Sequence, residues 1–223
     1  MYEFITHTWN TVKGECPHDC SYCYMKRWGK QNPVRLDAKE LKTDLGSGNF
    51  IFVGSSCDMW ANDIPNEWII DTLTHCAKYP DNKYLFQSKN PKAFIGYAVF
   101  ITAIKDISLC TTIETNRWYD SIMNNSPHPQ NRALAMSLIP IKEKYVTIEP
   151  LIDFDLISFV EMIKRCEPLQ VNLGADSGRN GLPEPSKEKV LQLIDELQKF
   201  TTIHNKSNLK RILETNIRNE IKN

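Results

Sequence analysis

The chain has 223 residues, of which 41% are hydrophobic and 24% charged, a composition that is typical of globular proteins and excludes a disordered, collagen-like or coiled-coil chain. Its 27 basic and 27 acidic residues cancel, so bulk charge gives nucleic acids and membranes no general attraction, although a local basic patch can still do so. No N-terminal apolar segment follows a basic start, and no run approaches the roughly 20 apolar residues of a membrane span, so we expect a cytoplasmic protein without a membrane partner.

Short β-rich runs recur along the chain. A first strand is predicted around Ile5 to Trp9. Further strands are predicted at Asn49–Gly54, Lys83–Ser88, Ser108–Glu114, Lys144–Glu149 and Leu169–Gly174. Most of these runs lack the polar alternation of a half-exposed strand, which indicates a parallel sheet covered on both faces.

Helical patterns with recognisable N-terminal signals lie between these runs. Asp37 and Glu40 form a capping box ahead of Leu41 and Leu45, and Gly46 is expected to end that helix. Further helix starts are predicted at Pro65, Asn90, Asp155 and Ser186, each followed by an amphipathic stripe.

This alternation predicts an α/β fold with about six right-handed β/α units. Because a complete eight-unit barrel takes ~250 residues, we predict an incomplete (β/α)6 parallel barrel, open at one side, with a flat doubly wound sheet as the alternative. Residues 1–200 are expected to form this domain. Residues 201–223 are expected to form an amphipathic helical tail packed on the same domain. In either architecture, catalytic residues lie at the C-terminal ends of the strands.

A cluster of cysteines follows the first strand. The segment Gly14–Arg27 reads GECPHDCSYCYMKR, which places Cys16, Cys20 and Cys23 at a C-x3-C-x2-C spacing. In a reducing compartment such cysteines indicate metal ligands or catalysts rather than disulfides. Thiolates suit iron–sulfur clusters and zinc, and three of them would leave one iron of a [4Fe–4S] cluster open for chemistry.

Other interpretations of this loop remain. The same spacing would place three small buried thiols on one helical face. A structural zinc site would need a fourth ligand, for which His7 and His18 are candidates. A redox pair formed by Cys20 and Cys23 would leave Cys16 unexplained.

The cysteine loop, with Tyr22 directly before its last cysteine, resembles the signature of the radical S-adenosylmethionine (SAM) superfamily. More of the chain resembles, in order, blocks of a phage- and prophage-associated radical SAM family without an assigned reaction, distantly akin to spore photoproduct lyase. These blocks are THTWNTVKGECPHDCSYCY, FVGSSCDMW, QSKNP, TTIETNR, TIEPL and LGADSG, and they span Thr6 to Gly178.

The resemblance implies a radical SAM enzyme of lyase or transferase type. Cys16, Cys20 and Cys23 would hold a [4Fe–4S] cluster whose open iron chelates SAM, and Tyr22 would lie near the adenine. An electron from an external donor such as flavodoxin or ferredoxin would cleave SAM to a 5′-deoxyadenosyl radical, which abstracts hydrogen from an unidentified substrate. In such an enzyme the hard chemistry belongs to the cofactors, and the protein binds and orients them.

The block that holds the SAM ammonium departs from the superfamily pattern. Many members have Gly-Gly-Glu there, whereas this chain has Gly54, Ser55 and Ser56, followed by Cys57 and Asp58. The two serine hydroxyls and the aspartate carboxylate are therefore the candidate hydrogen-bond acceptors.

Acidic residues recur at or just beyond the ends of the predicted strands, at Asp58, Glu114, Glu149 and Asp176. These ends converge on a β/α scaffold, where carboxylates repel one another unless they face cations or donors. SAM supplies such groups, so we predict that Glu114 contacts the ribose or methionine and that Glu149 and Asp176 contact SAM or substrate. The alternative for each residue is that it caps a helix or accepts turn amides.

The substrate stays open between a nucleotide, a nucleic acid, a peptide and a small metabolite. Lys26, Arg27, Lys30 and Arg35 follow the cluster and would form a basic rim together with the C-terminal tail, which favours a nucleotide or nucleic acid. The roles of Lys89, Lys206 and Cys57 are not assigned. Two other functions compete with the enzyme: a zinc-stabilised binding module, and an iron–sulfur protein without SAM chemistry.

Overall fold

The computed structural model describes residues 2–214, and a seven-stranded parallel sheet forms its centre. In spatial order the strands are β1 (His7–Trp9), β4 (Phe50–Val53), β5 (Lys83–Ser88), β6 (Ile107–Thr112), β7 (Lys144–Ile148), β8 (Gln170–Leu173) and β9 (Thr202–Asn205). Each of these strands is followed in space by the next along the chain, which is the winding of a β/α barrel and not the reversing order of a doubly wound sheet. Because β1 and β9 are the two edges, the barrel is incomplete, as predicted.

The last strand was not predicted. The four-residue run Thr202–Asn205 pairs in parallel with β8, with Val171 opposite Ile203. It lies in the segment expected to be helical, and its single aliphatic residue gives no strand signal. The chain then continues as a 3₁₀ turn (Ser207–Leu209) and the short helix α8 (Lys210–Leu213). The packing of residues 215–223, which include Ile217, stays a prediction because they lie outside the described residues.

Helices connect the parallel strands and cover one face of the sheet. They are α1 (Asn66–Ala77), α2 (Lys92–Gly96), α3 (Ala98–Thr102), α4 (Asp120–Met123), α5 (Pro129–Ser137), α6 (Leu156–Arg165) and α7 (Lys187–Leu197). The predicted helix starts are confirmed at α1, α2, α6 and α7, and the Ser186 hydroxyl caps α7 by accepting the amide of Lys189 at 3.3 Å. No helix among residues 2–214 has the length and apolar character needed to cross a membrane.

The helix predicted after Asp37 was wrong. Its capping-box carboxylates bind Lys13 instead, whose Nζ lies 2.9 Å from Asp37 and 2.6 Å from Glu40. The preceding residues form a small antiparallel pair, β2 (Val12–Lys13) with β3 (Arg35–Leu36). Only the single 3₁₀ turn Glu40–Lys42 follows, because this ribbon and its ion pairs hold the capping residues in a non-helical arrangement.

Side chains alternate between the two faces of the sheet. On β5, Tyr84 and Phe86 belong to the main core beneath the helices, whereas Leu85 belongs to a second cluster inside the barrel with Tyr2 and Tyr145. The inner face becomes polar toward the C-terminal strand ends, where the hydroxyl of Tyr2 bonds Gln87 and Thr147. The barrel interior is therefore packed at one end and polar at the end where the cavity lies.

Candidate functional site

A cavity of about 850 Å³ lies at the C-terminal ends of the strands. The cysteine loop contributes Cys16, Cys20, Tyr22 and Cys23 to the lining of this cavity. The strand ends contribute Gly54, Ser55, Ser56, Cys57, Asp58, Lys89, Glu149, Asp176 and Lys206. Residues that are far apart in sequence therefore meet in one volume, within the range of roughly 300–1,000 Å³ that is usual for ligand pockets. Of the predicted site residues, Glu114 is the one that lies behind this lining.

The cysteine loop is a series of tight turns. Amides of Asp19 and Cys23 donate to the carbonyls of Cys16 and Cys20, at 3.0 and 3.1 Å, and Asp19 adopts a left-handed φ of 48°. The three cysteines consequently do not share a helical face, which removes the interpretation of a buried helical stripe. Cys20 is buried, while Cys16 and Cys23 are half-buried toward the cavity.

The connection between β6 and α5 holds this loop in place. Backbone hydrogen bonds join Ser21 to the carbonyl of Ile122 at 3.0 Å and Asn125 to the carbonyl of His18 at 3.1 Å. The side chain of Asn125 also donates to the carbonyl of Pro17 at 3.1 Å, and that of Asn124 donates to Asp19 at 2.6 Å. These hydrogen bonds therefore fix the position of the loop against the connection between β6 and α5.

A buried ionic network adjoins the loop. Nη1 of Arg132 lies 2.7 Å from Oε2 of Glu114, and both side chains are 0% exposed. The Tyr22 hydroxyl donates to the other carboxylate oxygen, and Nζ of Lys89 lies 3.8 Å from it. Burial alone would raise the pKa of Glu114, but the charges of Arg132 and Lys89 and the bond from Tyr22 hold that pKa below its usual value.

A second network organises the block after β4. Oδ2 of Asp58 accepts from His18 at 2.8 Å, from the Ser88 hydroxyl at 3.0 Å and from the amide of Lys89 at 2.8 Å. Burial alone would raise the pKa of Asp58, but the charge and hydrogen bond of His18 hold it below its usual value. Asp58 therefore connects the cysteine loop to the ends of β4 and β5.

The two serines of this block share a partner. The hydroxyls of Ser55 and Ser56 donate to Oδ1 of Asn10 at 3.2 and 3.1 Å, and the amide of Ser56 donates to it at 2.9 Å. Because both hydroxyl protons are directed at Asn10, the oxygen lone pairs of the two serines are free to accept from a cation. Asn10, which follows β1, is thus a further member of the site.

Cys57 lies against the cysteine loop. The interaction with the Cys57 side chain lowers the pKa of Cys16 to about 6, and the same interaction together with burial raises the pKa of Cys57. Burial raises the pKa of Cys20. The thiol next to Cys16 is therefore arranged to stabilise a thiolate.

The opposite side of the cavity is built by the last strands. Glu149 accepts hydrogen bonds from Lys206 and, at 2.7 Å, from Asn208. The Lys206 ammonium also lies 4.2 Å from the centre of the Tyr2 ring. The Asp176 carboxylate accepts from the amide of Gly178 at 3.0 Å and from both nitrogens of Asn180, the turn-capping arrangement that was the alternative for this residue.

Comparison with known proteins assigns a family. The sequence profile of DUF5131, described as a protein of unknown function, matches residues 1–183. The chain belongs to the DUF5131 family. No curated protein matches its sequence.

Solved structures of spore photoproduct lyase share the fold of this DUF5131 protein. A cysteine-to-serine mutant matches with a TM-score of 0.62 and 10% identity, over 89% of this chain and 75% of that chain. A tyrosine-to-phenylalanine mutant matches with a TM-score of 0.59 and 10% identity, over 90% and 74% of the two chains. A double mutant with bound AdoMet and dinucleoside spore photoproduct matches with a TM-score of 0.54 and 11% identity, over 86% and 61%. The shared fold agrees with the superfamily that the sequence blocks resemble, whereas the phage association stays a prediction.

The donor set of the DUF5131 protein fits a [4Fe–4S] cluster. Such a cluster binds each thiolate on a different iron, so its cysteines surround a cluster-sized space and do not converge on one ion. Within residues 2–214, no group of three or more His, Cys, Asp and Glu side chains converges on a single metal ion. Of the two histidines considered as a zinc ligand, His18 bonds Asp58 and His7 is exposed on β1.

Asn10, Arg132 and the Asn124–Asn125 pair were not predicted from the sequence. Arg132 lies on α5 among polar neighbours, and nothing in that pattern distinguishes a buried guanidinium from an exposed one. Asn10 does carry a signal, because it directly follows a strand whose end faces the predicted site.

Proposed function

We propose that this DUF5131 protein is a radical SAM enzyme that acts on a nucleotide or nucleic-acid substrate. One observation carries the proposal: the C-x3-C-x2-C loop and the Gly54–Asp58 block meet in one cavity at the C-terminal ends of a parallel sheet whose fold matches spore photoproduct lyase. The substrate class is supported by the spore photoproduct lyase structure that holds AdoMet together with dinucleoside spore photoproduct. The chemistry that cluster and SAM supply when bound is one-electron cleavage of SAM followed by hydrogen-atom abstraction.

In this proposal Cys16, Cys20 and Cys23 are the cluster ligands. The hydrogen bonds that join their loop to Ile122 and Asn125 would hold the thiols in place. An external donor such as flavodoxin or ferredoxin supplies the electron.

The block after β4 would orient the methionine end of SAM. Ser55 and Ser56 would accept hydrogen bonds from the ammonium through the lone pairs that their bonds to Asn10 leave free. Lys89, whose side chain is 18% exposed at the cavity wall, offers a cation for the carboxylate. Glu114 fixes Tyr22 and Lys89 from behind, and so acts on SAM through them.

Substrate would occupy the side of the cavity formed by Tyr2, Glu149, Lys206 and Asn208. Lys206 and Glu149 pair with each other, so these four residues offer polar groups without a net charge. Asp176 shapes the same wall by ordering its own turn.

The test is anaerobic purification followed by metal and spectroscopic analysis. The proposal predicts iron and sulfide in equal amounts, and a change in the electron paramagnetic resonance spectrum of the reduced protein when SAM is added. Zinc without sulfide would instead identify a zinc-stabilised binding module. A cluster whose spectrum does not change when SAM is added would identify an iron–sulfur protein without SAM chemistry.

A further inference from the structure

An exposed tryptophan lies next in sequence to residues that line the cavity. Trp28 lies at the end of the 3₁₀ turn Tyr24–Trp28, which directly follows the cysteine loop. Its side chain is 78% exposed, more than any other aromatic side chain among residues 2–214. No ring contact or hydrogen bond within the described chain engages it. Tryptophan is usually packed along most of its surface, so a ring presented in this way is available to a partner.

Basic residues flank this ring in the sequence. The segment Tyr24–Lys30, named here the mouth segment, reads YMKRWGK and contains three basic and no acidic residues. Lys26 pairs with Asp19 at 2.6 Å. Within residues 2–214, no carboxylate pairs with Arg27 or Lys30, and both are exposed. The mouth segment therefore has local positive charge in a chain whose total charge is zero.

The mouth segment is continuous with the cavity. Met25, Lys26, Gly29 and Lys30 line the opening. The Tyr24 hydroxyl donates to the carbonyl of Ser55 at 2.9 Å, which fixes the segment relative to the block after β4. A molecule held at Trp28 is therefore adjacent to the volume in which the proposed reaction occurs.

We propose that the mouth segment binds single-stranded nucleic acid, with Trp28 stacking on a base and Arg27 and Lys30 pairing with phosphates. This inference rests on the proposed function in treating the bound strand as the substrate that enters the cavity. A nucleotide chain repeats one flat ring and one negative charge, which matches a lone aromatic residue flanked by unpaired cations. Stacking tolerates any base, so the segment supplies affinity, and the cavity selects the reacting group.

An acidic electron-transfer protein would also be attracted to these charges. The position of the segment favours the nucleic acid, because a protein docked over residues that line the opening would close the route by which a substrate enters.

The test is fluorescence anisotropy of a labelled oligothymidylate with the full-length protein over a range of salt concentrations. Trp28→Ala is expected to weaken binding by at least about fivefold, and Trp28→Phe to retain most of it. Phe100→Ala, which changes an exposed aromatic residue on α3, is the matched control and leaves binding unchanged. Arg27→Gln/Lys30→Gln is expected to reduce the slope of log affinity against log salt by about 1.4.

Lys105→Gln/Lys142→Gln is the matched charge control, since both lysines are exposed and precede β6 and β7 at the opposite end of the barrel. The inference is overturned if the wild type does not bind the oligonucleotide, prefers the matched duplex, or loses no more affinity with Trp28→Ala than with Phe100→Ala. It is also overturned if Arg27→Gln/Lys30→Gln slows reduction by flavodoxin and leaves oligonucleotide binding intact.

The two proposals fail separately. Formation of 5′-deoxyadenosine by the wild type, reduced with dithionite and without oligonucleotide, is measured in parallel. SAM cleavage without oligonucleotide binding overturns only the role of the mouth segment. Oligonucleotide binding without SAM cleavage overturns only the radical SAM activity.

Discussion

Arg132 and Glu114 form an ion pair in which both side chains are fully buried, with Nη1 and Oε2 2.7 Å apart. The other carboxylate oxygen accepts from Tyr22, which lies between Cys20 and Cys23 in the sequence. The guanidinium also donates to the carbonyl of Thr112 at 3.0 Å and to the hydroxyl of Ser126 at 3.0 Å. The pair therefore joins the end of β6, helix α5 and the cysteine loop.

Removing one member of this pair should lower the stability of the protein. Arg132→Met removes the nearer of the two cations of the buried Glu114 carboxylate and leaves only Lys89, 3.8 Å away, so we expect the free energy of unfolding of the apoprotein to fall by about 3–5 kcal/mol. Arg132→Met/Glu114→Leu removes both charges and should recover much of the loss. Urea unfolding measures both values, with Arg35→Met at an exposed site on β3 as the control. A single variant as stable as the double variant would contradict this account.

The same carboxylate should contribute to acid stability. Because the pKa of Glu114 is held below its ordinary value of 4.5, its stabilisation is fully present above that pH and is lost as pH falls through the lower, folded-state pKa. The stability of the wild type should therefore fall more steeply below about pH 4.5 than that of Arg132→Met/Glu114→Leu, which lacks the carboxylate. Unfolding free energies measured across this range give the two slopes. Parallel curves would show that Glu114 does not titrate in this way.

One of the hydrogen bonds that hold the cysteine loop in place can be removed by a single substitution. Asn125→Ala removes the side-chain donor to Pro17 and leaves the backbone bond to His18. We expect a stability loss of about 1 kcal/mol and a faster loss of iron from the reconstituted protein. Asn131→Ala, at an exposed position on α5, is the control. Equal iron retention in the two variants would mean that the loop does not depend on this contact.

Substitution of Cys57 distinguishes a cluster held by three cysteines from a cluster held by four. If Cys16, Cys20 and Cys23 are the ligands, Cys57→Ala keeps its iron and sulfide after anaerobic reconstitution, whereas Cys16→Ala loses them. Colorimetric iron and sulfide assays provide the comparison. Loss of the cluster in Cys57→Ala would make this residue a fourth ligand and leave no open iron for SAM.

The parallel sheet was predictable because its central strands, β5 to β8, are largely buried on both faces. Apolar runs such as Lys83–Ser88 therefore stand out from the chain, and the strand at that position has the predicted bounds. Strand β9 gave no such signal, since it forms an edge and is half-exposed. The false helix at Asp37 arose from a local capping pattern that a distant lysine, Lys13, overrides.

Site residues could be predicted where the chemistry requires a particular spacing in the sequence. They could not be predicted where tertiary packing alone brings them together. Cys16, Cys20 and Cys23 were identified because a ligand loop requires closely spaced thiols. The partner of Glu114 was not, because Arg132 is brought to it by tertiary packing. The alternation of strands and helices indicated that the strand ends converge, but not which carboxylates would be occupied by the protein's own donors.

Formation of 5′-deoxyadenosine from SAM tests the central claim most directly. The protein is reconstituted with iron and sulfide without oxygen, reduced with dithionite and incubated with SAM, and the nucleoside is quantified by chromatography. We predict its formation by the wild type and its absence in Cys23→Ala. A wild-type protein with an intact cluster that forms no more 5′-deoxyadenosine than Cys23→Ala would contradict the assignment as a radical SAM enzyme.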